Sequence, residues 1–311
     1  NYLPLYKDAS SDMPRTQFHF KDAEAVGLVK FDFLGLRTLT IIAEAVDLVE
    51  KTLGERISPL ELEFEDGEVF EMLASGDSTG VFQLESPGMR ELLKSMKPSQ
   101  IEHLIALISL YRPGPMDSIP SYVARANGEE SIEYDHPLLE EVLKETFGIV
   151  TYQEDVMRIA RDLGGYSLGE ADLLRRAMGK KIVSEMDAHR KKFCDGALDR
   201  GVPERVSNLI FDKCAKFAGY GFNKGHAAAY AQVSFQTAYL KFHHPAQFYC
   251  ACMNVDIDSH ERLRLYCNEL RQKKIAVLPP CVNRSNAVFV IEQIKNQFSI
   301  RYGLAGVRNF G

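Results

Sequence analysis

Gly219-Tyr220-Gly221-Phe222-Asn223-Lys224-Gly225-His226-Ala227-Ala228-Ala229-Tyr230 is a glycine-loosened aromatic loop that runs straight into an alanine-rich segment. Asn223 is a strong N-cap residue, and Ala227, Ala228 and Ala229 strongly favour helix. The stretch therefore predicts a loop-to-helix junction with Lys224 and His226 in the first helical turn. A helix N-terminus carries positive partial charge, so cations there are disfavoured unless they share an anion with the unpaired N–H groups. Phosphate is the usual anion at such a place. Two readings stay open on this stretch alone: Lys224 and His226 help to hold a phosphate, or Lys224 points into water and His226 caps a packed loop.

Outward from this junction the texture is helical. Periodic apolar segments lie at 37–53, 68–74, 89–96, 101–110, 137–144, 154–163, 168–178, 182–200, 204–217, 227–242, 245–253 and 259–274. Arg112-Pro113-Gly114-Pro115, Gly164-Gly165, Gly219-Tyr220-Gly221 and Pro279-Pro280 punctuate them, and the prolines around Gly114 fix a stiff turn. Residues 1–26 are mixed and polar, with Ser10, Ser11 and Asp12 marking a loop. Val29-Lys30-Phe31-Asp32-Phe33-Leu34 alternates as a strand, Val29, Phe31 and Phe33 on one face, Lys30 and Asp32 on the other. In the helix that follows, Leu39, Ile42, Val46, Val49 and Leu53 form one stripe. After Pro280 the pattern turns β-rich at 287–292 and 298–302, with Lys295-Asn296-Gln297 as the turn between. The expected fold class is mainly α (α+β): a helical body, a short strand segment near the N-terminus and a small β-hairpin element at the C-terminus.

The 311 residues are 45% hydrophobic and 26% charged, an ordinary globular composition long enough for two or three domains. With 37 Lys and Arg against 43 Asp and Glu, the formal net charge is −6. Bulk charge does not announce a nucleic-acid binder, so any such partner has to be held by a local basic patch. Six cysteines are scattered with no Cys-x-x-Cys pair, which argues against a zinc site and suits a reducing cytosol. No signal peptide and no apolar run of membrane-spanning length is present. The sequence starts at Asn1 without a methionine, stops at Gly311, and reads as a piece of something larger.

A second cationic segment runs from Gly164-Gly165-Tyr166-Ser167 to Gly179-Lys180-Lys181. Ser167 with Glu170 forms a capping box that fixes the helix start. Arg175, Arg176, Lys180 and Lys181 follow, and Arg176 and Lys180 share a helical face if the helix survives Gly179. Like charges at that spacing cost a helix roughly 0.2–0.5 kcal/mol, and a polyphosphate laid across them reverses the sign. Arg supplies a planar fork for phosphate oxygens and Lys a mobile point charge. Alternatively, Asp172 pairs with Arg176 and the rest is a wet basic face. Arg190, Lys191 and Lys192 extend the basic character, and Tyr111-Arg112 before the Pro-Gly-Pro turn adds a weaker candidate phosphate contact. Tyr220 and Phe222, held between glycines, either stack on a base, worth about 1–3 kcal/mol per base, or fill the core.

Asp32, on the solvated side of its strand, suits Mg²⁺, which prefers oxygen ligands; otherwise it is a surface carboxylate paired with Lys30 or Arg37. Asp256-Ile257-Asp258 is no partner for it: this stretch follows a helix and precedes Ser259, and reads as a loop and N-cap. No Ser-His-Asp arrangement, Walker loop or dinucleotide fingerprint occurs.

Six strings carry a close resemblance to one family, the catalytic alpha subunit of bacterial DNA polymerase III, the C-family replicative polymerase. They are Val29 through Leu39, Gly80-Val81-Phe82-Gln83-Leu84-Glu85-Ser86, Arg112-Pro113-Gly114-Pro115, Val150-Thr151-Tyr152-Gln153-Glu154, Leu173 through Lys181, and Phe217 through Tyr230. The Pro279-Pro280 segment and Gly303 through Asn309 are similar to the family as well. The resemblance implies that residues 1–36 are the C-terminal piece of a palm, 37–280 a helical fingers domain, and 281–311 a β-hairpin segment leading to further domains. It implies that Asp32 is the third catalytic aspartate and a metal ligand. Arg175, Arg176, Lys180, Lys181, Tyr220, Asn223, Lys224 and His226 then hold the incoming nucleoside triphosphate.

The implied activity is template-directed DNA synthesis with two Mg²⁺ ions, in the bacterial cytoplasm at the nucleoid. The implied partners are template-primer DNA, dNTP and, for the full-length protein, the sliding clamp, the proofreading exonuclease and clamp-loader subunits, with no membrane. The family's other two catalytic aspartates lie upstream of this sequence, so the fragment is expected to be inactive, because one carboxylate cannot hold the metal pair. Gly225 stands where the family often has serine, which is expected to loosen the nucleotide loop, and Cys281 where it often has aspartate. The rival classes are a non-catalytic helical module that binds nucleic acid or protein, and a scaffold for replisome proteins.

Overall fold

A computed structural model describes residues 3–8, 12–31, 35–180 and 183–308. The chain divides into two units, Asn1–Arg37 and Thr38–Gly311. In the first, β1 (Leu5–Lys7) and β2 (Pro14–Thr16) pair antiparallel, Leu5 opposite Thr16. A short helix, α1 (Phe20–Ala25), starts after His19, whose Nδ1 accepts the Lys21 N–H. None of these three elements was expected in a stretch read as mixed and polar. The strand expected at 29–34 is not formed by residues 29–31, which are irregular, with Val29 73% and Phe31 75% exposed. Alternation supplies β propensity, but a strand exists only where its N–H and C=O groups find a partner, and β1 and β2 pair with each other. Asp32, with Phe33 and Leu34, lies outside the described residues, so its catalytic and metal-binding assignment rests on the resemblance alone. The Lys30 ammonium stands 5.5 Å from the centre of the Phe20 ring.

The second unit is helical up to its final sheet. Its elements are α2 (Arg37–Leu53), α3 (Gly67–Ala74), α4 (Pro87–Met96), α5 (Ile101–Leu110), α6 (Ile119–Ala126), α7 (Glu140–Leu143), α8 (Gln153–Asp162), α9 (Leu168–Lys180), α10 (Val183–Leu198), α11 (Glu204–Ala218), α12 (Lys224–His243), α13 (Pro245–Val255) and α14 (His260–Gln272). Most match the expected segments within two or three residues. The segment expected at 137–144 breaks into 3-10 turns on either side of the four-residue α7, and ends at Phe147 in the left-handed region, φ 51°. α6 was not expected; its Pro120 sits at the helix start, where no N–H is needed.

Three apolar clusters hold this unit together. In the first, α5 is buried along most of its length against α12, where Ala227, Ala231 and Ala238 let the two backbones approach around Phe235. The second joins α8 to α11 through Ile159, Leu174, Phe193 and Phe211. There α10 touches the end of α8 backbone to backbone: a Cβ on Gly196 would stand 2.1 Å from the Gly164 carbonyl oxygen. The third packs α2, α13 and α14 on the sheet through Ile42, Val49, Phe248, Leu263 and Ile300. The buried stripe of α2 is Ile41, Ile42, Ala45 and Val49; Leu39 and Leu53, expected on it, are 53% and 47% exposed. One buried cation crosses these layers. Lys241 Nζ donates to Asp77 Oδ1 (2.5 Å), Asp77 O (3.0 Å) and Thr79 O (3.1 Å), all of its donors satisfied.

The hairpin forms with its first strand, β4 (Val290–Ile294), two to three residues later than expected and its second, β5 (Gln297–Arg301), one residue earlier. Lys295 and Asn296 both take positive φ, 50° and 61°, as a two-residue hairpin turn of matching twist requires. β3 (Ala276–Leu278), which was not anticipated, pairs parallel with β5 and gives the order β3-β5-β4. The Phe289 N–H donates to Asn254 Oδ1 at 2.7 Å and Asn254 Nδ2 returns a bond to Phe289 O at 3.1 Å, fastening the hairpin to α13.

Candidate functional site

The junction at Asn223 forms as its sequence dictates. Asn223 takes an extended backbone, and its Oδ1 accepts the His226 N–H at 2.7 Å, so Lys224, Gly225 and His226 make the first turn of α12. The loop before it is pinned on α8. Gln153 N–H donates to Phe222 O at 2.9 Å, Gln153 Nε2 to Gly221 O at 3.0 Å, and Tyr152 and Phe222 form a parallel β-bridge. Arg112 braces the other side: its Nη2 donates to Tyr220 O, its Nε to Ser109 O at 2.8 Å, and its guanidinium lies 4.6 Å from the centre of the Phe222 ring. Gly114 takes φ 102° and has no side chain because the Tyr220 ring lies against it, with Cδ1 2.6 Å from where a Cβ would be. Tyr220 is 47% exposed and lines a cavity of about 610 Å³ together with Gly114, Lys213 and Phe217.

The N–H groups expected to await an anion are largely used by the protein itself. Glu154, in the first turn of α8, accepts the Lys224 N–H on Oε2 at 2.9 Å and Asn223 Nδ2 on Oε1 at 2.8 Å. Lys224 Nζ pairs with Glu145 Oε2 at 2.7 Å and lies 5.3 Å from the centre of the Tyr152 ring. The other oxygen of Glu145 and the hydroxyl of Tyr152 are buried without a protein partner. Below them Asp155, 5% exposed, accepts the Thr151 and Tyr152 N–H groups at 2.8 Å each. Burial pushes its carboxyl up to about 6 in spite of those two bonds. His226 is exposed, between the rings of Phe222 (5.4 Å) and Tyr230 (4.2 Å). Gly225 lies inside α12 and not in a left-handed conformation; a Cβ there would stand 3.3 Å from Asn223 Oδ1.

The second cationic segment forms as one helix. Ser167 N–H donates to Glu170 Oε2 at 2.9 Å and Glu170 N–H to Ser167 Oγ at 3.3 Å, so both halves of the capping box are present. α9 continues through Gly179 to Lys180; Lys181 lies outside the described residues. Asp172 takes both arginines, Arg175 at 2.7 Å and Arg176 at 2.8 Å, and the Arg175 hydrogen bond leads in holding its carboxyl below the usual range. Arg176 remains 61% exposed and Arg175 only 22%. Both cationic segments border the end of α11. The last turn of α9 backs onto its end, so that a Cβ on Gly179 would lie 3.5 Å from Ala218 O, and the loop Gly219–Phe222 then leads directly to Asn223.

The weaker candidates are engaged within the helical layer. Arg190 bonds Asp212 (2.5 Å) and Asn208 (3.2 Å) and lies over Phe211; Lys192 bonds Glu170 (2.5 Å) and lies over Tyr166. Lys191 is exposed. Glu145 and Glu154 were not singled out from the sequence, although Glu154 belongs to one of the strings that carry the resemblance. Among the described residues, no group of three or more His, Cys, Asp or Glu could hold a metal ion, and no helix is long and apolar enough to cross a membrane.

The chain matches the family described as bacterial DNA polymerase III alpha subunit finger domain over residues 38–201. It is 52% identical over 308 residues to DNA polymerase III subunit alpha of Caulobacter vibrioides (strain NA1000 / CB15N), covering 99% of this chain and 26% of that one. It is 47% identical over 314 residues to the subunit of Thermus aquaticus (99% and 25%) and 46% identical over 311 residues to that of Neisseria meningitidis serogroup B (100% and 27%). The chain spans about a quarter of the length of the curated relatives it matches.

Proposed function

We propose that this chain, which belongs to the bacterial DNA polymerase III alpha subunit family through its finger domain, holds the incoming deoxynucleoside triphosphate and adjoining template-primer DNA during chromosome replication. The observation that carries the reading is the approach of the last turn of α9 to the end of α11. From Ala218 to Asn223 is five residues, a span of at most about 18 Å, so the end of α9 at Gly179 and the first turn of α12 can serve one extended polyanion. Arg176 is the readiest fork for phosphate oxygens, being exposed and held only by an exchangeable surface pair. Lys224 exchanges Glu145 for a phosphate oxygen, His226 adds a ring donor, Lys180 and Lys181 extend the charge, and Tyr220 borders the base.

The full-length protein is a DNA polymerase in this account. Mg²⁺, when bound, activates the primer hydroxyl and stabilises the leaving pyrophosphate. The described residues do not assemble a donor set for it, so its ligation falls to Asp32 and to carboxylates supplied by the remainder of the polymerase, as do the clamp, exonuclease and clamp-loader contacts. This chain alone is inactive. One observation favours a second reading, a helical nucleic-acid module with no nucleotide site: Arg175, Arg176 and Lys224 all have acidic partners.

Titration of a fluorescent dATP analogue with Mg²⁺ separates the two. Saturable binding that unlabelled dNTP competes away and Arg176→Ala weakens supports the nucleotide site; binding indifferent to Arg176→Ala and Lys224→Ala, or none, favours the module. Incorporation by this chain in a primer-extension assay would overturn its inactivity.

A further inference from the structure

Beyond the nucleotide loop, the aromatic contacts continue along α12. The Arg112 guanidinium lies 4.6 Å from the Phe222 ring centre, Phe222 is 5.4 Å from His226, His226 is 4.2 Å from Tyr230, and Tyr230 is 5.1 Å from Phe82. His226 and Tyr230, four residues apart, lie on one face of α12, and Phe222 joins them from the loop before the helix. Phe82 comes from the turn between α3 and α4 and is held there by its N–H, which donates to Thr237 Oγ1 at 3.1 Å. The rings are fanned, with tilts of 41–58° between neighbours.

This row borders the core, with Phe222 packed against the first cluster. His226 is exposed, and Phe222, Tyr230 and Phe82 are only half-buried, whereas the opposite face of the same helix buries Ala227, Ala231 and Phe235 completely. On the flank of the row, Gly225 and Ala229 are exposed and carry nothing larger than a methyl group. At one end Lys224, paired with Glu145, lies in the first turn of the same helix. Partly exposed aromatic rings with cations at one end match the chemistry of single-stranded nucleic acid, whose bases stack while its phosphates follow positive charge.

We propose that His226, Tyr230 and Phe82 form a stacking rail for the bases of single-stranded DNA, continuing away from the first turn of α12. The rail presupposes that the chain meets DNA, as in the function proposed above. It adds two residues, Tyr230 and Phe82, to those proposed above for the triphosphate.

The chain contains no tryptophan, so the fluorescence of 2-aminopurine in a short oligonucleotide can be read without interference. A single-stranded oligodeoxythymidylate carrying one 2-aminopurine is titrated into the chain at several salt concentrations, and dATP binding is measured in parallel. The expected result is quenching on binding, with Tyr230→Leu and Phe82→Leu each weakening affinity roughly 5- to 150-fold and leaving the salt dependence unchanged. Tyr230→Phe, which keeps the ring, retains both affinity and quenching, and this guards against reading a folding defect as lost stacking. Wild-type affinity and quenching in Tyr230→Leu would overturn the rail. So would dATP binding without oligonucleotide binding, which leaves the nucleotide site standing. Failure to bind either ligand removes both proposals together.

Discussion

Glu154 reaches from the first turn of α8 to the first turn of α12, where its Oε2 accepts the Lys224 N–H at 2.9 Å. The positive end of α12 is therefore closed by one of the protein's own carboxylates, and a second, Glu145, holds the Lys224 ammonium at 2.7 Å. The loop is fixed in place before any ligand arrives, and the side chains left to meet one are Arg176, His226 and Tyr220. A ligand that recruits Lys224 has to displace Glu145.

Glu154→Ala removes the acceptor from one backbone and one side-chain donor at the start of α12. Loss of such a cap costs about 1–2 kcal/mol. A lower urea midpoint with an unchanged m-value is expected, together with weaker dATP binding as the loop loosens. Glu154→Gln keeps one acceptor oxygen and falls between.

Arg176→Ala separates stability from binding. Its pair with Asp172 is exposed, and such pairs contribute about 0.2–1 kcal/mol, so the melting temperature barely moves. A lost charge-assisted hydrogen bond to phosphate costs about 1.5–3 kcal/mol, which predicts dATP binding weaker by roughly 10- to 150-fold. Arg176→Lys recovers only part of this, because an ammonium lacks the planar fork.

Asp155 gives a pH signature. Its folded carboxyl titrates at about 6 and an unfolded one at about 3.9. Between those values the unfolded chain has released a proton that the native one keeps. The stability this group contributes is complete below about pH 4 and lost as pH rises through about 6. Asp155→Asn keeps an acceptor for Thr151 and Tyr152 and cannot ionise. The stability difference between wild type and this variant should shift by on the order of 2–3 kcal/mol between pH 4 and pH 7, in favour of the variant at the higher pH. Urea unfolding at intervals across that range reads it.

Gly196→Ala places a methyl group 2.1 Å from the Gly164 carbonyl oxygen. Backbone stands on both sides, so relief requires α10 to move off the end of α8. A cost of about 1–3 kcal/mol or more is expected, read as a fall in melting temperature. Gly225→Ala, by contrast, replaces a glycine with helical backbone but sets its Cβ 3.3 Å from Asn223 Oδ1, a tight contact that the capping oxygen relieves by shifting a few tenths of an ångström; the helix-propensity gain offsets this, and thermal unfolding should change less than for Gly196→Ala.

What the sequence made legible was local. Asn223 followed by alanines specified the start of α12, and Ser167 with Glu170 specified the start of α9, because both caps are closed by residues three positions apart. The acidic partners of the site were not legible. Glu145 and Glu154 come from about seventy to eighty residues before Lys224, and no short-range pattern ties them to it. The alternation at 29–34 was no guide to residues 29–31, which are irregular although they carry strand propensity. β3 is the converse: three residues became a strand because β5 lay beside them. The aromatic row was half legible, with Phe222, His226 and Tyr230 at helical spacing, while Phe82 joins it only through the packing of the α3–α4 turn.

The account depends most on Arg176 and the first turn of α12 gripping one triphosphate. The direct measurement is a titration of the isotopically labelled chain with dATP and Mg²⁺, following backbone amide resonances. Shifts at Arg176 and Gly179 on one side and at Gly225 and His226 on the other, saturating with a single dissociation constant, are predicted. Movement confined to one group, different constants for the two, or no movement at all would contradict it.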